Sequence, residues 1–297
     1  MRRLLVRLFG IATRPFIGKG WGGSFLHRFI ANAYRWVMRL VVPQSDEVIE
    51  VNGYLMVSRT GKGRAMDGLT RRLVIDGEYE PYMTKVFEEL LSERMTVVDV
   101  GANVGYYTLL AARCVGEHGK VWAFEPEPQN FLELQRNIEL NGLGYIVEAH
   151  RKAVSDAMGS TELFVSSVES GEHSLVPCYA HNQTTIDVEL VRLDDVVEGK
   201  VDVLKTDTEG NDMRVLMGAL GLLERNRGIK LFTEFWPKGL DAAGLSAEAY
   251  WSFLEGLGFR MRLLGKDGVV EATLDDVIAD IGGHDGFAAN LLCWRDK

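Results

Sequence analysis

At 297 residues, with 46% hydrophobic and 25% charged residues, the chain has the composition of an ordinary globular protein with room for a sizeable core. Its formal net charge of −9 splits into +8 over residues 1–40, which hold no acid, and −17 over the rest. An acidic body of that kind excludes a general nucleic-acid binder, and no apolar run is long enough to span a bilayer.

The basic start opens as Met1-Arg2-Arg3-Leu4-Leu5-Val6-Arg7, but Arg7 and Arg14 interrupt what would be the apolar region of a signal peptide. Residues 24–42 predict an amphipathic helix with Phe25, Phe29, Trp36, Val37 and Leu40 on or near one face. Such a helix either packs on its own domain or lies on a membrane surface, where its positive charge suits anionic headgroups. Val48–Val57 reads as two short strands about the hairpin turn Asn52-Gly53, and Gly61 to Thr70 as a polar loop. These features make residues 1–75 a helical and hairpin extension, with 76–297 as the principal domain. Cys114, Cys178 and Cys293 lie far apart and form no metal-ligand pair, which points to reduced thiols and a cytoplasmic compartment.

From residue 80 the elements alternate. A helix from about Glu80 to Glu93 leads into a strand at 96–100, a helix at 104–115, a strand at 120–125, a helix at 128–141 and a strand at 146–152. Repeated units of this kind predict an α/β fold, a doubly wound, mostly parallel, Rossmann-like sheet. The alternation then pauses for a β insertion after the third strand, with strands at Glu162–Ser166 and Thr185–Arg192. The stretch between them, Glu169 to Gln183, is a candidate lid. Winding resumes with Val201–Thr206, a helix from about Asp212 to Glu224 and the strand Ile229–Glu234. A helix around Ala247–Leu257 precedes the apolar runs Arg260–Leu264 and Ala289–Trp294.

The first strand ends in Asp99-Val100-Gly101-Ala102-Asn103-Val104-Gly105, and the second closes on Glu125, 26 residues after Asp99. Gly101 and Gly105 permit a sharp turn and close ligand approach, and the helix that follows offers free amides. Glu125 is placed to accept both hydroxyls of a ribose. That feature serves nicotinamide and S-adenosylmethionine (SAM) sites alike. Two residues favour SAM. Asn103 stands where a dinucleotide fingerprint needs its second glycine, and the Asp99 carboxylate would repel a diphosphate but attract the amino group of SAM. The candidate cofactor-binding set is Asp99, Gly101, Asn103, Gly105, Tyr106, Glu125, Pro126 and Asp156.

A second constellation, Val203-Leu204-Lys205-Thr206-Asp207-Thr208-Glu209-Gly210, ends a later strand on the side where such sheets bind ligands. Asp207, Glu209, Glu234 from the next strand, and His173 in the insertion are the candidate catalytic bases. Transfer from a bound SAM would need alignment of the acceptor and removal of its proton. Asp207 and Glu209 are also candidate ligands for Mg²⁺. The plainer readings are a helix N-terminal acid for Glu209 and a solvated loop histidine for His173.

The runs DVGANVGYYT, AFEPEPQNFLELQRNIELN, KAVSDAMGSTEL, LDDV, LKTDTEG and GALGLL together resemble FkbM-type SAM-dependent methyltransferases over roughly residues 75–295. The resemblance implies a class I methyltransferase fold and O-methylation of a sugar, glycolipid or secondary-metabolite hydroxyl, with a small-molecule, glycan or lipid-linked acceptor. One departure is Asp212, where the family's motif carries a glutamate. The alternatives from other classes are a nicotinamide-dependent oxidoreductase and a membrane-surface adaptor with a vestigial site.

Overall fold

The computed structural model describes residues 47–58, 69, 72–73, 77, 79–166, 171–177, 183–265, 268–283 and 288–295. The helix expected over 24–42 and most of the loop at 61–70 lie outside the described residues. The chain divides after Tyr79 into two units. The first holds a hairpin of β1 (Glu47–Val51) and β2 (Tyr54–Ser58). Asn52 (φ 48°) and Gly53 (φ 81°) make its turn, both left-handed as a two-residue hairpin with the native strand twist requires.

The second unit begins with α1 (Pro81–Leu90), which buries Met83, Val86 and Phe87. The Phe87 ring meets Tyr107 and Phe232 edge-on, at centroid distances of 5.2 and 5.4 Å. Then follow β3 (Thr96–Val100), α2 (Tyr106–Val115), β4 (Lys120–Phe124), α3 (Pro128–Leu140) and β5 (Val147–His150). The strands β3 and β4 are near-continuous apolar runs because helices or inserted strands cover both faces. The insertion comprises β6 (Ala153–Val154), β7 (Gly159–Ser166) and β8 (Gln183–Val191), a separate sheet in the order β6-β8-β7.

After α4 (Leu193–Val196) the main sheet resumes with β9 (Val203–Thr206), α5 (Asp212–Met217), α6 (Leu220–Arg225) and β10 (Lys230–Phe235). The remaining elements are α7 (Pro237–Ala242), α8 (Ala247–Gly256), β11 (Arg260–Gly265), β12 (Gly268–Glu271), α9 (Leu274–Gly283) and β13 (Ala289–Trp294). The sheet order is β12-β11-β13-β10-β9-β3-β4-β5, parallel from β10 to β5 and antiparallel on the other side. Winding runs outward from β3 to β5 and then returns to β9 on the opposite side of β3. The strand order therefore reverses between β3 and β9, and a ligand crevice is expected at their carboxyl ends.

Two local outcomes differ from the sequence pattern for tertiary reasons. The helix expected from Asp212 to Glu224 breaks into α5 and α6. At the break, a Cβ on Gly218 would lie 2.0 Å from the Ser155 carbonyl oxygen. Asp194 then caps the new start by accepting the Gly221 and Leu222 amides at 3.0 and 2.6 Å. The second helix of the domain starts at Tyr106 rather than 104, because Asn103 (φ 51°) and Gly105 (φ 95°) are left-handed.

Gly101 is required by the fold itself. It has φ +78°, and an added Cβ would sit 1.9 Å from the Asp207 carbonyl oxygen, so this glycine lets the β3 turn touch the β9 turn. Gly142 has φ +65° with nothing within 4 Å of such a Cβ. Gly142→Ala is therefore expected to lose only the conformational cost, about 1 kcal/mol. Gly101→Ala should lose that plus a further ~1–3 kcal/mol of overpacking. Urea denaturation of the two variants checks the difference; equal losses would contradict it.

Candidate functional site

The site is built on two turns that meet at the strand reversal. In the first, the Gly101 and Ala102 amides both donate to the Phe124 carbonyl at 3.0 Å, locking the β3 turn to the end of β4. Asn103, a residue type that tolerates left-handed backbone, then aims its own amide at Glu125. The two oxygens of Glu125 accept the Asn103 amide at 2.8 Å and the Glu127 amide at 2.9 Å. Glu127 in turn caps α3 through the Asn130 amide. Burial pushes the Glu125 carboxyl up to about 7, although both backbone hydrogen bonds pull the other way.

Asp99 is fully buried. Its Oδ2 accepts the Thr108 hydroxyl at 2.7 Å, and its Oδ1 lies 3.2 Å from Nζ of Lys205. The amino group that Asp99 meets in this structure is the ammonium of Lys205, supplied by the neighbouring strand. Lys205, 3% exposed, also lies 3.6 Å from Asp207 and 5.1 Å from the centre of the Tyr107 ring. Burial alone would lower its pKa, but Asp99 and Asp207 outweigh that and hold it above the ordinary lysine value.

The second turn follows β9. Glu209 is left-handed (φ 53°), as is Gly210 (φ 94°). A Cβ on Gly210 would approach Gly239 Cα at 2.7 Å. Carboxylate oxygens of Asp207, Glu209 and Glu234 lie within 4.8 Å of one another. Oε2 of Glu234 is buried with no hydrogen-bond partner. Burial and then the carboxylates of Glu209, Asp207, Asp212 and Glu80 push Glu234 well above the usual carboxylate range. Asp212, 2% exposed, rises to about 6 through burial and Asp207, opposed by hydrogen bonds from Thr206 and Thr208.

The structure therefore brings together Asp207, Glu209 and Glu234 and sets Asn103 against Glu125. Several other expected residues are engaged elsewhere. Tyr106 is buried, with its hydroxyl 3.0 Å from that of Thr84, so it ties α2 to α1. Gly105 packs against α3, where a Cβ would meet Leu134 at 2.6 Å. Asp156 accepts from Arg214 of α5 at 3.3 Å and from Ser155 at 3.1 Å. Pro126 is half-buried between Glu125 and Glu127. His173 uses Nδ1 to accept the Ser166 amide at 3.1 Å, which leaves the hydrogen on its other nitrogen.

Sequence reasoning missed Lys205, Thr108 and Glu80. Lys205 stood inside a quoted motif, and its position midway along a buried strand was the available signal. Thr108 follows Asp99 by nine residues, and only the folded helix brings its hydroxyl to the carboxylate. Glu80 receives the Tyr107 hydroxyl at 3.0 Å from a left-handed residue, which periodicity does not reveal.

The sequence from 99 to 261, which carries both turns, matches the methyltransferase FkbM domain. The chain belongs to this family. Among curated relatives, methyltransferase sdnD of Sordaria araneosa is 30% identical over 154 residues, covering 41% of this chain and 59% of that protein. Methyltransferase 1 of Beauveria bassiana (strain ARSEF 2860) is 29% identical over 147 residues, covering 41% and 57%. The matches thus span less than two thirds of either relative's length. A solved FkbM methyltransferase from Methylobacillus flagellatus KT aligns with a TM-score of 0.41 and 13% identity, covering 78% of this chain and 56% of that one. A putative rRNA methylase from Clostridium thermocellum aligns with a TM-score of 0.45 and 14% identity, covering 72% and 93%. The class I methyltransferase architecture is read from the sheet order itself, with its reversal between β3 and β9. No helix among the described residues is long and apolar enough to cross a membrane.

Breaking the buried pair tests its part in this FkbM-family fold. Lys205→Met leaves buried Asp99 without its cation, and is expected to cost about 3–5 kcal/mol. The double variant Asp99→Asn with Lys205→Met should recover a large part of that loss. Urea denaturation of the parent and three variants measures the coupling, and additive losses would contradict it.

Proposed function

We propose that this protein is a SAM-dependent O-methyltransferase that modifies a hydroxyl of a sugar, glycolipid or secondary metabolite. The observation that carries the reading is the Glu125 carboxylate, fixed by two backbone amides beside the β3 turn of an FkbM-family chain. A buried, oriented carboxylate with lone pairs remaining on both oxygens fits a ribose diol. Across the strand reversal, Asp207, Glu209 and Glu234 form the acidic group that would handle the acceptor. When bound, SAM supplies an electrophilic methyl group on a sulfonium sulfur.

The protein's own part is alignment and proton removal. Glu125 holds the ribose. Glu234 is the preferred proton acceptor, because burial and then its carboxylate neighbours raise its basicity well above that of an ordinary carboxylate. Asp207, 3.6 Å from the Lys205 ammonium, orients the acceptor hydroxyl. The same three carboxylates fit a divalent cation such as Mg²⁺ by donor type, and Glu234 Oε2 is the atom that such an ion would satisfy. Asp207, Glu209 and Glu234 would then hold it, and it would lower the acceptor hydroxyl's pKa. The acidic body makes a small-molecule, glycan or lipid-linked acceptor a better partner than nucleic acid. A cytoplasmic setting, with the basic first forty residues at a membrane surface, belongs to the same reading.

Glu125→Ala is expected to weaken SAM binding about 10- to 100-fold by calorimetry, through loss of charge-assisted hydrogen bonds. The pH dependence follows from the raised Glu125 value. Its ionised form, the better acceptor, predominates above about 7, so affinity should fall as pH drops through that range. Glu125→Gln should flatten the profile. An unchanged dissociation constant in Glu125→Ala would remove the ribose role. Incubation with isotopically labelled SAM and panels of glycans and lipids, with and without a chelator, tests acceptor and cation together. Glu234→Gln should lower transfer by at least about 100-fold, and full activity in that variant would exclude it as the base.

A further inference from the structure

One segment of the inserted sheet reaches both turns of the site. At one end, a Cβ added to Gly171 would lie 3.9 Å from Nδ2 of Asn103, in the first turn. Three residues on, the Ser174 hydroxyl donates to the Glu209 carbonyl, in the second turn, at 2.7 Å. The segment is anchored to its own sheet. Ser174 is 1% exposed, and its backbone pairs with Phe164 of β7 in both directions, at 2.8 and 3.1 Å. Its hydroxyl also accepts the Val176 amide at 3.0 Å, so both its donor and an acceptor position are used.

The carbonyl that Ser174 holds belongs to an unfavourable conformation. A non-glycine residue in the left-handed region, as at Glu209, costs on the order of 1–2 kcal/mol. The surroundings must over-determine such a turn for it to persist. Gly210 closes against Gly239 on one side, and the Ser174 hydroxyl grips the turn from the other. The direction in which the Glu209 side chain leaves the backbone follows from this turn. So does the gathering of its carboxylate with those of Asp207 and Glu234.

We propose that Gly171–Val176 bridges the two turns and that Ser174 is a positioning residue for methyl transfer, clamping the Glu209 turn so that its carboxylate joins Asp207 and Glu234. The link to methyl transfer rests on the function proposed above; the clamp itself does not. Because Ser174 grips the second turn, its loss should act on the acceptor side and leave the Glu125 side intact.

The test compares the full-length parent with Ser174→Ala and Ser174→Thr. Amide hydrogen exchange over residues 207–213 should quicken about 10-fold in the alanine variant, the effect of losing one ordinary hydrogen bond. Exchange over Thr96–Val100 should not change, and threonine, which restores the hydroxyl, should return the parental rate. Calorimetry should give SAM dissociation constants within about two-fold across the three proteins. With an acceptor from the labelled panels, the alanine variant should lose kcat at constant KM for SAM, and threonine should restore it. Unchanged exchange over 207–213 in Ser174→Ala overturns the clamp. A SAM affinity that falls along with the faster exchange overturns the acceptor-side assignment. Failure of the parent to bind SAM defeats the methyltransferase reading, and the exchange data alone then decide the clamp.

Discussion

Lys205 reaches across the strand reversal to Asp99, and the site is organised around that contact. The carboxylate comes from β3 and the ammonium from β9, adjacent strands whose separation by more than a hundred residues reflects the outward and returning halves of the winding. Removing both charges from water is expensive, and neighbouring groups offset part of that cost. Thr108 takes the second oxygen of Asp99, while Asp207 and the Tyr107 ring share Lys205. The pair thereby joins the turn that holds Glu125 to the strand that delivers Asp207.

That arrangement also distributes protons. Lys205 serves Asp99 and Asp207, whereas Glu234 sits among Glu209, Asp207, Asp212 and Glu80 with one oxygen unpartnered. Burial and these neighbouring carboxylates oppose ionisation of Glu234 and hold its pKa well above the usual carboxylate range. The second turn gathers them at a conformational cost, which Gly239 and Ser174 offset by packing and hydrogen bonding.

Much of the architecture was legible because parallel strands covered on both faces must be written as short apolar runs between helices. The strand 96–100 and the run 289–294 fall where the pattern put them, and the insertion was visible as a pause in the alternation. The helix expected over 212–224 was misjudged because Gly218 yields to the Ser155 carbonyl, a contact that no local pattern encodes. The elements α7, of six residues, and β12, of four, escaped because segments so short carry little periodicity to read, and α9 was not anticipated. The glycines of the first turn were located correctly but for a different purpose, since Gly101 and Gly105 make room for the protein's own backbone and for Leu134.

The linear order of residues determined the winding, the family and the positions of Glu125, Asp207, Glu209 and Glu234, because strand periodicity and turn chemistry are local properties of the chain. The folded arrangement alone decided what each charge meets. Asp99 faces a lysine and not open solvent, Asp156 is taken by Arg214, and His173 is spent on a backbone amide. A titratable group's role depends on its solvation and on neighbours within a few ångströms, and those neighbours come from strands distant in sequence.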